Sequence, residues 1–378
     1  MAIIGAGAAG LACALTLERL GIRPDVFEKG DQVGFPVSLA QAILNFSHPG
    51  VGDQIDCLRQ QYGLAIAPLA PLRKVVYHCP GVREEIAGRH GYLIQRGRDE
   101  GSLERQLADL LATGIRFCRK VTPEQLAGDY DYVVVADSSG RTARRAGDWQ
   151  CRVKAMARAA HVLGSFEPGT VHVYFDASYA GHGFGLLAPF DSRRALLALH
   201  LVPGPGAGGP RMDHVWRLFL AREGLVFDVF TRFDLVYEAG TVRRHRMGNV
   251  LLAGNAAGLT DPLLGLGLFS GLASGVLAAR AIAGQGDYER MLAPFARRQE
   301  QLALARGAFD NLGQAVVSLG IRALGLPVVR SLVPGGRPDV LAHVQPLLAM
   351  MGAGDKASGC PWREETGADG SREGESGR

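Results

Sequence analysis

Apolar positions along this chain follow two rhythms. At the start, Ala2-Ile3-Ile4 is a short unbroken apolar run. Leu11, Cys13, Ala14, Leu15, Leu17 and Leu20 then recur at helical spacing and close at Gly21. Pro24 to Phe27 is apolar again. Continuous runs bounded by turn residues predict buried strands, and a period near 3.6 predicts a helix. The same rhythm returns in Gly91-Tyr-Leu-Ile-Gln-Arg96, a strand leading to a helix over Gly101 to Thr113, with Leu103, Leu107, Leu110 and Leu111 on one face. Ile115 to Cys118 and Asp131 to Ala136 read as further strands, the second closed by Asp137-Ser-Ser-Gly140. Alternating strands and helices of this kind build a parallel sheet.

The middle of the chain has the other rhythm. Val171–Phe175, Gly183–Ala188, Ala195–Val202 and Arg243–Met247 are strand-like runs separated by turn residues, and Val75–Cys79 resembles them. With little helix between them they predict a mostly antiparallel sheet, interrupted by a helix over Met212–Glu223. At Val250 the first rhythm resumes: a strand to Ala253, a glycine-rich turn from Gly254 to Gly267, and a helix from Leu268 to Ile282. The fold class expected is α/β, a Rossmann-like domain with an inserted antiparallel domain and C-terminal helices. Residues 1–60, 90–150 and 245–285 form the discontinuous first domain, and 61–89 and 151–244 the inserted one. Residues 286–352 are helical by period, and the polar, glycine-rich segment 353–378 is expected to be disordered.

The first glycine turn carries chemistry. Gly5-Ala-Gly-Ala-Ala-Gly10 lies between strand and helix, and Glu28 ends the second strand about twenty residues on, the dinucleotide-binding arrangement. Gly5 allows the tight turn, Gly7 lets a pyrophosphate approach, and Gly10 lets helix and strand pack closely. The helix N-terminus holds phosphate, and Glu28 accepts hydrogen bonds from an adenosine ribose. An acid there favours an unphosphorylated ribose, so FAD or NAD. The second turn offers its ligand close backbone approach and another helix N-terminus.

Composition narrows the classes. A net charge of +4 over 378 residues leaves no nucleic-acid footprint. The basic runs Arg141–Arg145 and Arg243–Arg246 read as solvated surface. The six cysteines (Cys13, Cys57, Cys79, Cys118, Cys151, Cys360) are too widely spaced for a metal or dithiol motif and read as free thiols. The chain shows no signal peptide and no apolar run of the ~20 residues that a spanning helix needs, so a cytoplasmic protein is expected. Leu319–Val333 is apolar with Arg322 and Arg330 spaced through it, and fits either a helix packed on the core or a peripheral membrane contact.

Three segments together resemble the FAD-dependent oxidoreductases of the para-hydroxybenzoate hydroxylase plan: Gly5–Gly10 with Glu28, Asp131–Gly140, and Gly254–Gly267. Tyr174–Phe184 followed by Ala188-Pro189 is similar to the geranylgeranyl reductase branch. The resemblance implies FAD, held by Gly5, Gly7, Gly10 and Glu28. Arg96 would reach the phosphate–ribityl region, and Asp137 would mark the turn near the adenine. Gly254 and Asn255 would approach the ribityl and pyrophosphate, while Pro262, Gly265, Gly267 and Leu268 would border the ring. It implies hydride transfer through flavin N5 to a carbon–carbon double bond of an apolar, isoprenoid or lipid substrate, with NADH or NADPH as donor. Tyr179 and His182 are the candidate proton donors, against a reading of both as strand-edge and loop residues. A monooxygenase on the same fold and a non-catalytic flavin-binding or electron-transfer protein remain open alternatives. The chain departs from the family pattern at Asn255, where the family has Asp, and at Ser38-Leu39, where many of the reductases have a flavin-facing cysteine.

Overall fold

The computed structural model describes residues 1–203 and 212–324. The N-terminal unit is β1 (Ala2–Ile4), α1 (Ala8–Arg19) and β2 (Asp25–Phe27), followed by β3 (Leu39–Leu44) and α2 (Gln54–Gln60). Next come β4 (Ala70–Cys79), β5 (Val82–Arg96), α3 (Leu103–Ala108), β6 (Ile115–Arg116), α4 (Pro123–Leu126), β7 (Val133–Val135) and α5 (Arg141–Arg145). The middle holds β8 (Trp149–Leu163), β9 (Thr170–Tyr174), α6 (Ala177–Ala180), β10 (Phe184–Pro189), β11 (Arg194–Leu201), α7 (Met212–Glu223) and β12 (Asp228–Val242). The chain returns through β13 (Arg246–Met247) and β14 (Val250–Leu252), then a 3₁₀ turn at Gly254–Ala257, α8 (Leu268–Ile282), α9 (Tyr288–Phe309) and α10 (Gln314–Leu324).

Two sheets result. The first has six strands in the order β13-β14-β7-β1-β2-β6. The contacts of β1 with β2 and β7, of β7 with β14 and of β2 with β6 are all parallel. Its central strands are wholly buried because helices cover both faces, which is why Ala2–Ile4 and Val133–Val135 are unbroken apolar runs. The second sheet has eight strands in the order β12-β8-β11-β10-β9-β4-β5-β3, antiparallel except where β4 meets β9.

Three strands differ from the sequence expectation. The segment 91–96 and β3, both expected in the first domain, pair with each other in the second sheet. Arg246–Met247, read among the antiparallel runs of the middle although inside the first domain's expected bounds, forms the antiparallel edge of the first sheet. The helix expected over Gly101–Thr113 stops at Ala108. Beyond it, Glu18 of α1 draws the chain away by accepting the N–H groups of Ala112 (3.1 Å) and Thr113 (2.5 Å). Two 15-residue strands, β8 and β12, were not among the expected elements; they pair along their whole length with bulges at Val229/Thr231 and Ala239/Gly240. Arg158 of β8 clamps the pair by reaching Asp234 of β12 with Nε and a terminal nitrogen, each at 2.6 Å. The expected tail and the stretch beyond Leu324 lie outside the described residues. No described helix is long and apolar enough to cross a membrane.

Candidate functional site

The two glycine turns, far apart in sequence, meet. Both follow strands of the same parallel sheet, β1 and β14, with only β7 between them. Helices α1 and α8 then cross at very short range. A Cβ added at Gly275 would stand 2.1 Å from the Ala9 carbonyl oxygen, and one at Gly254 would stand 3.0 Å from the Ala9 Cβ. Small residues on both helices therefore set the distance between the turns.

In the first turn each glycine has a separate physical reason. Gly5 sits at φ +101°, and a Cβ there would press on the Ala136 carbonyl at 2.8 Å. A Cβ at Gly10 would stand 1.9 Å from the Gly5 carbonyl oxygen. Gly7 is different: its φ of −85° suits any residue, and a Cβ would meet nothing within 4 Å. The space beside it is open. It caps α1 without any side-chain hydrogen bond, and no acid lies in the first turn. The leading N–H groups of α1 thus face that space with the positive end of the helix dipole. Glu28 is fixed at the rim, one oxygen accepting from Ala6 N–H and the other from Gly30 N–H, both at 2.8 Å. Each oxygen keeps a further lone pair for a hydroxyl. Asp137 shapes the neighbouring turn, accepting from the Ser139 N–H (3.2 Å) and hydroxyl (2.9 Å).

In the second turn Gly254 has φ +62° and donates its N–H to the Ser274 hydroxyl at 2.9 Å. Asn255 donates to the Ser138 carbonyl at 2.6 Å and accepts from the Thr260 hydroxyl at 2.9 Å. Pro262 is buried and starts a tight loop in which the Gly265 N–H returns to the Asp261 carbonyl at 2.9 Å. Gly265 has φ +71°, and a Cβ there would stand 3.1 Å from the Tyr237 hydroxyl. Gly267 caps α8 without a side-chain hydrogen bond, so the N–H groups of Leu268, Phe269 and Ser270 have no acceptor within the helix. A small cavity of about 20 Å³ lies beside them, bounded by Ala42, Ile43 and Leu44 of β3.

Asp261 lines this cavity, and burial pushes its carboxyl up to about 6, opposed by the amides of Leu263 and Leu264 and by Arg298 and Arg306. A folded-state pKa above the unfolded value of ~3.9 means the folded chain holds this proton more tightly. The stability tied to it is complete below about pH 4 and is lost as pH rises through about 6. Asp261→Asn keeps an oxygen for the Leu263 N–H. It is expected to remove the pH step and gain about 1–3 kcal/mol at pH 8, which thermal melts at pH 5 and pH 8 would read.

The remaining residues expected in the site have partners of their own. Arg96 is engaged by Glu104 (2.6 and 2.5 Å) and Gln41 (2.7 Å). Glu104 is buried and also accepts the Gly97 N–H at 3.1 Å. Swinging Arg96 to a phosphate would leave that carboxylate buried and unpaired, so the arginine joins β3, β5 and α3 instead. Tyr179 is fully buried, packs on Phe219 and donates to Glu223 at 2.7 Å. Burial and Glu223 push its phenol far upward, so it is a core residue rather than a substrate-facing acid. Tyr179→Phe is expected to cost about 1 kcal/mol of stability, the worth of one hydrogen bond, with turnover unchanged. Thermal melts and steady-state rates check this. His182 is partly exposed and lines a cavity of about 250 Å³ with Phe175, Phe309, Leu312 and Val317, its Nδ1 3.8 Å from Asp310. The structure brings together the residues of both glycine turns, Glu28 and Asp137; Arg96 is held by Glu104 and Gln41, Tyr179 is in the core, and His182 lines a separate cavity. Ser38 is buried with its hydroxyl on Asp99. Sequence reasoning passed over Thr260 and Ser274, whose hydroxyls hold the second turn, and the backbone carbonyl of Ser138; hydroxyl residues flanking a glycine turn are the signal that marks the first two.

Comparison with known proteins agrees with this geometry. Residues 3–49 match the family model of the NAD(P)-binding Rossmann-like domain. No curated protein sequence matches the chain. Among solved structures, the chain is similar to a geranylgeranyl bacteriochlorophyll reductase-like protein from Thermoplasma acidophilum. That likeness has 14% identity, covers 92% of this chain and 98% of the other, and gives a TM-score of 0.65. It is also similar to p-nitrophenol 4-monooxygenase from Pseudomonas putida DLL-E4, at 15% identity over 93% and 97% of the two chains, TM-score 0.60. A variant of HpxO from Klebsiella pneumoniae, complexed with FAD, matches at 15% identity over 86% and 93%, TM-score 0.57. These likenesses establish the fold: the α/β architecture of the FAD-dependent oxidoreductases and monooxygenases, a Rossmann-like parallel sheet with a second, larger sheet.

Proposed function

We propose that this protein is an FAD-dependent oxidoreductase that reduces a carbon–carbon double bond of an apolar, isoprenoid-type substrate. The observation that carries the proposal is the meeting of the two glycine turns at Ala9, where Gly254 packs on the first turn of α1, with open space beside Gly7 and no side-chain cap on the N-terminus of either α1 or α8. One end suits a diphosphate and the other the electron-rich edge of a flavin. The FAD held by the HpxO structure supports the cofactor, and the reductase-like neighbour supports the finer reaction.

In this reading the loop Gly5–Gly10 and the leading amides of α1 hold the diphosphate. Glu28 accepts from the adenosine ribose. Gly254 lets backbone approach the cofactor chain, and Pro262, Gly265 and Gly267 border the ring. The amides of Leu268, Phe269 and Ser270 stabilise negative charge on the ring without reorganising, because they are fixed by the helix. When bound, the flavin supplies hydride transfer through N5. The second sheet supplies an apolar wall: Leu72, Val75, Leu196 and Ala198 form its buried cluster, while Val173 and Leu186 stay half-exposed on it. Such a wall binds and desolvates a hydrocarbon and offers it no charge.

Ser38 favours a second reading, an oxygenase. Ser38, or Leu39, stands where many of the resembling reductases carry a cysteine, so no thiol is offered there, and the Ser38 hydroxyl is turned onto Asp99. Reduction with NADH or NADPH, followed by turnover with a prenyl alkene, separates the two. The reductase reading expects a hydrogenated product under anaerobic conditions. A product that appears only with oxygen and carries an oxygen atom would overturn it.

A further inference from the structure

We propose that Asn255 is the positioning residue that locks the two turns of the FAD site together, and that this site requires an amide there rather than a carboxylate. The inference rests on the FAD reading above. One side chain spans two segments of the site. Its Nδ2–H donates to the carbonyl of Ser138, in the turn after β7, at 2.6 Å. Its Oδ1 accepts from the hydroxyl of Thr260, on the path to α8, at 2.9 Å. The neighbouring Gly254 packs on Ala9 in the first turn of α1. The bridge therefore sets the adenine-side turn, the diphosphate helix and the flavin-side loop relative to one another.

A carbonyl oxygen only accepts, so the group facing Ser138 has to donate. Asparagine carries a donor and an acceptor at its tip and satisfies both partners. An ionised aspartate carries acceptors only. At position 255 it would set a carboxylate oxygen against the Ser138 carbonyl, break the bridge and place negative charge beside the diphosphate loop. Restoring the acid that the resembling family carries should therefore weaken the cofactor site. A protonated aspartic acid regains one O–H donor, so the defect should shrink as pH falls. Asp137, whose oxygens hold Ser139, and Asp261 next to Thr260 are the other carboxyls beside the bridge, and they are common to wild type and variant. The difference between the two proteins isolates position 255.

The test is FAD affinity of the apoprotein, measured by flavin fluorescence quenching for wild type and Asn255→Asp at pH 7.5 and pH 4. The expected result is about tenfold weaker binding by the variant at pH 7.5, the worth of one lost hydrogen bond plus an unpaired acceptor, with the gap closing several-fold at pH 4, near the ~3.9 of an ordinary aspartate. Equal or tighter binding by the variant at pH 7.5, or a gap independent of pH, would overturn the inference. Wild type that binds no FAD would overturn the FAD reading, and this inference with it. Should Asn255→Asp fail to fold, Thr260→Val cuts the other half of the bridge. It is expected to weaken FAD binding about threefold without pH dependence, and unchanged affinity overturns the proposal.

Discussion

Gly7→Ser is expected to abolish FAD binding while leaving the apoprotein as stable as wild type or slightly more so. The backbone at Gly7 already has the extended conformation of a helix N-cap, at φ −85° and ψ −176°, which serine adopts readily. The added Cβ meets nothing within 4 Å. The serine oxygen can accept from the amides of the first turn, a capping bond worth about 1 kcal/mol. Those amides, and that open space, are what the diphosphate of FAD would use. Filling one and satisfying the other should weaken FAD by at least about 100-fold, or ~2.7 kcal/mol. Thermal melting of the apoprotein and FAD titration of the same sample read the two effects separately. Joint loss of stability and binding would mean that Gly7 is a packing residue.

Gly275→Val should show the opposite signature, a large loss of stability with everything else following from it. The Cβ would stand 2.1 Å from the Ala9 carbonyl oxygen and 3.2 Å from the Cys13 amide nitrogen, backbone atoms that cannot rotate away. Relief requires α1 and α8 to separate. Both helices are lined with small buried residues, including Ala9, Ala12 and Cys13 on α1 and Gly271 and Ala278 on α8, so separation opens a void along the crossing. Overpacking alone costs about 1–3 kcal/mol, and the lost helix contact adds to it, for an expected loss of about 3–5 kcal/mol. Denaturant unfolding of the apoprotein checks the figure. A loss below about 1 kcal/mol would show that the crossing is loose.

The contrast between these glycines shows what was legible from sequence. The spacing Gly5–Gly7–Gly10, with Glu28 beyond, carries its own mechanism, and the roles of turn, approach and packing correspond to three different surroundings in the structure. The helix from Leu268 to Ile282 was legible at both ends because glycine marks its start and an apolar period runs through it. The long strands β8 and β12 were not. In β8 the inward positions are mostly alanine, a poor strand former, which masks the alternation with Arg152, Lys154 and Arg158; in β12 Thr231, Phe233, Leu235 and Tyr237 alternate with Arg232, Asp234 and Glu238, a period of two that was passed over. What makes them strands is their pairing and the Arg158–Asp234 clamp, which no local window contains.

Side-chain roles were harder to read for the same reason. Tyr179 precedes Gly181-His182-Gly183 and looked like a loop residue, but α7, inserted more than thirty residues later, brings Phe219 and Glu223 over it. Arg96 looked free to reach a phosphate until the chain turned and presented Glu104 from α3. Asn255 stood out only as a departure from a pattern, and its reason appeared once Ser138 and Thr260 were placed beside it.

Titration of the purified, folded apoprotein with FAD, followed by visible absorption and flavin fluorescence, tests the central claim most directly. Binding of one FAD per chain, lost in Gly7→Ser at unchanged melting temperature, is the predicted result. A folded wild-type protein that neither retains nor binds FAD would contradict it.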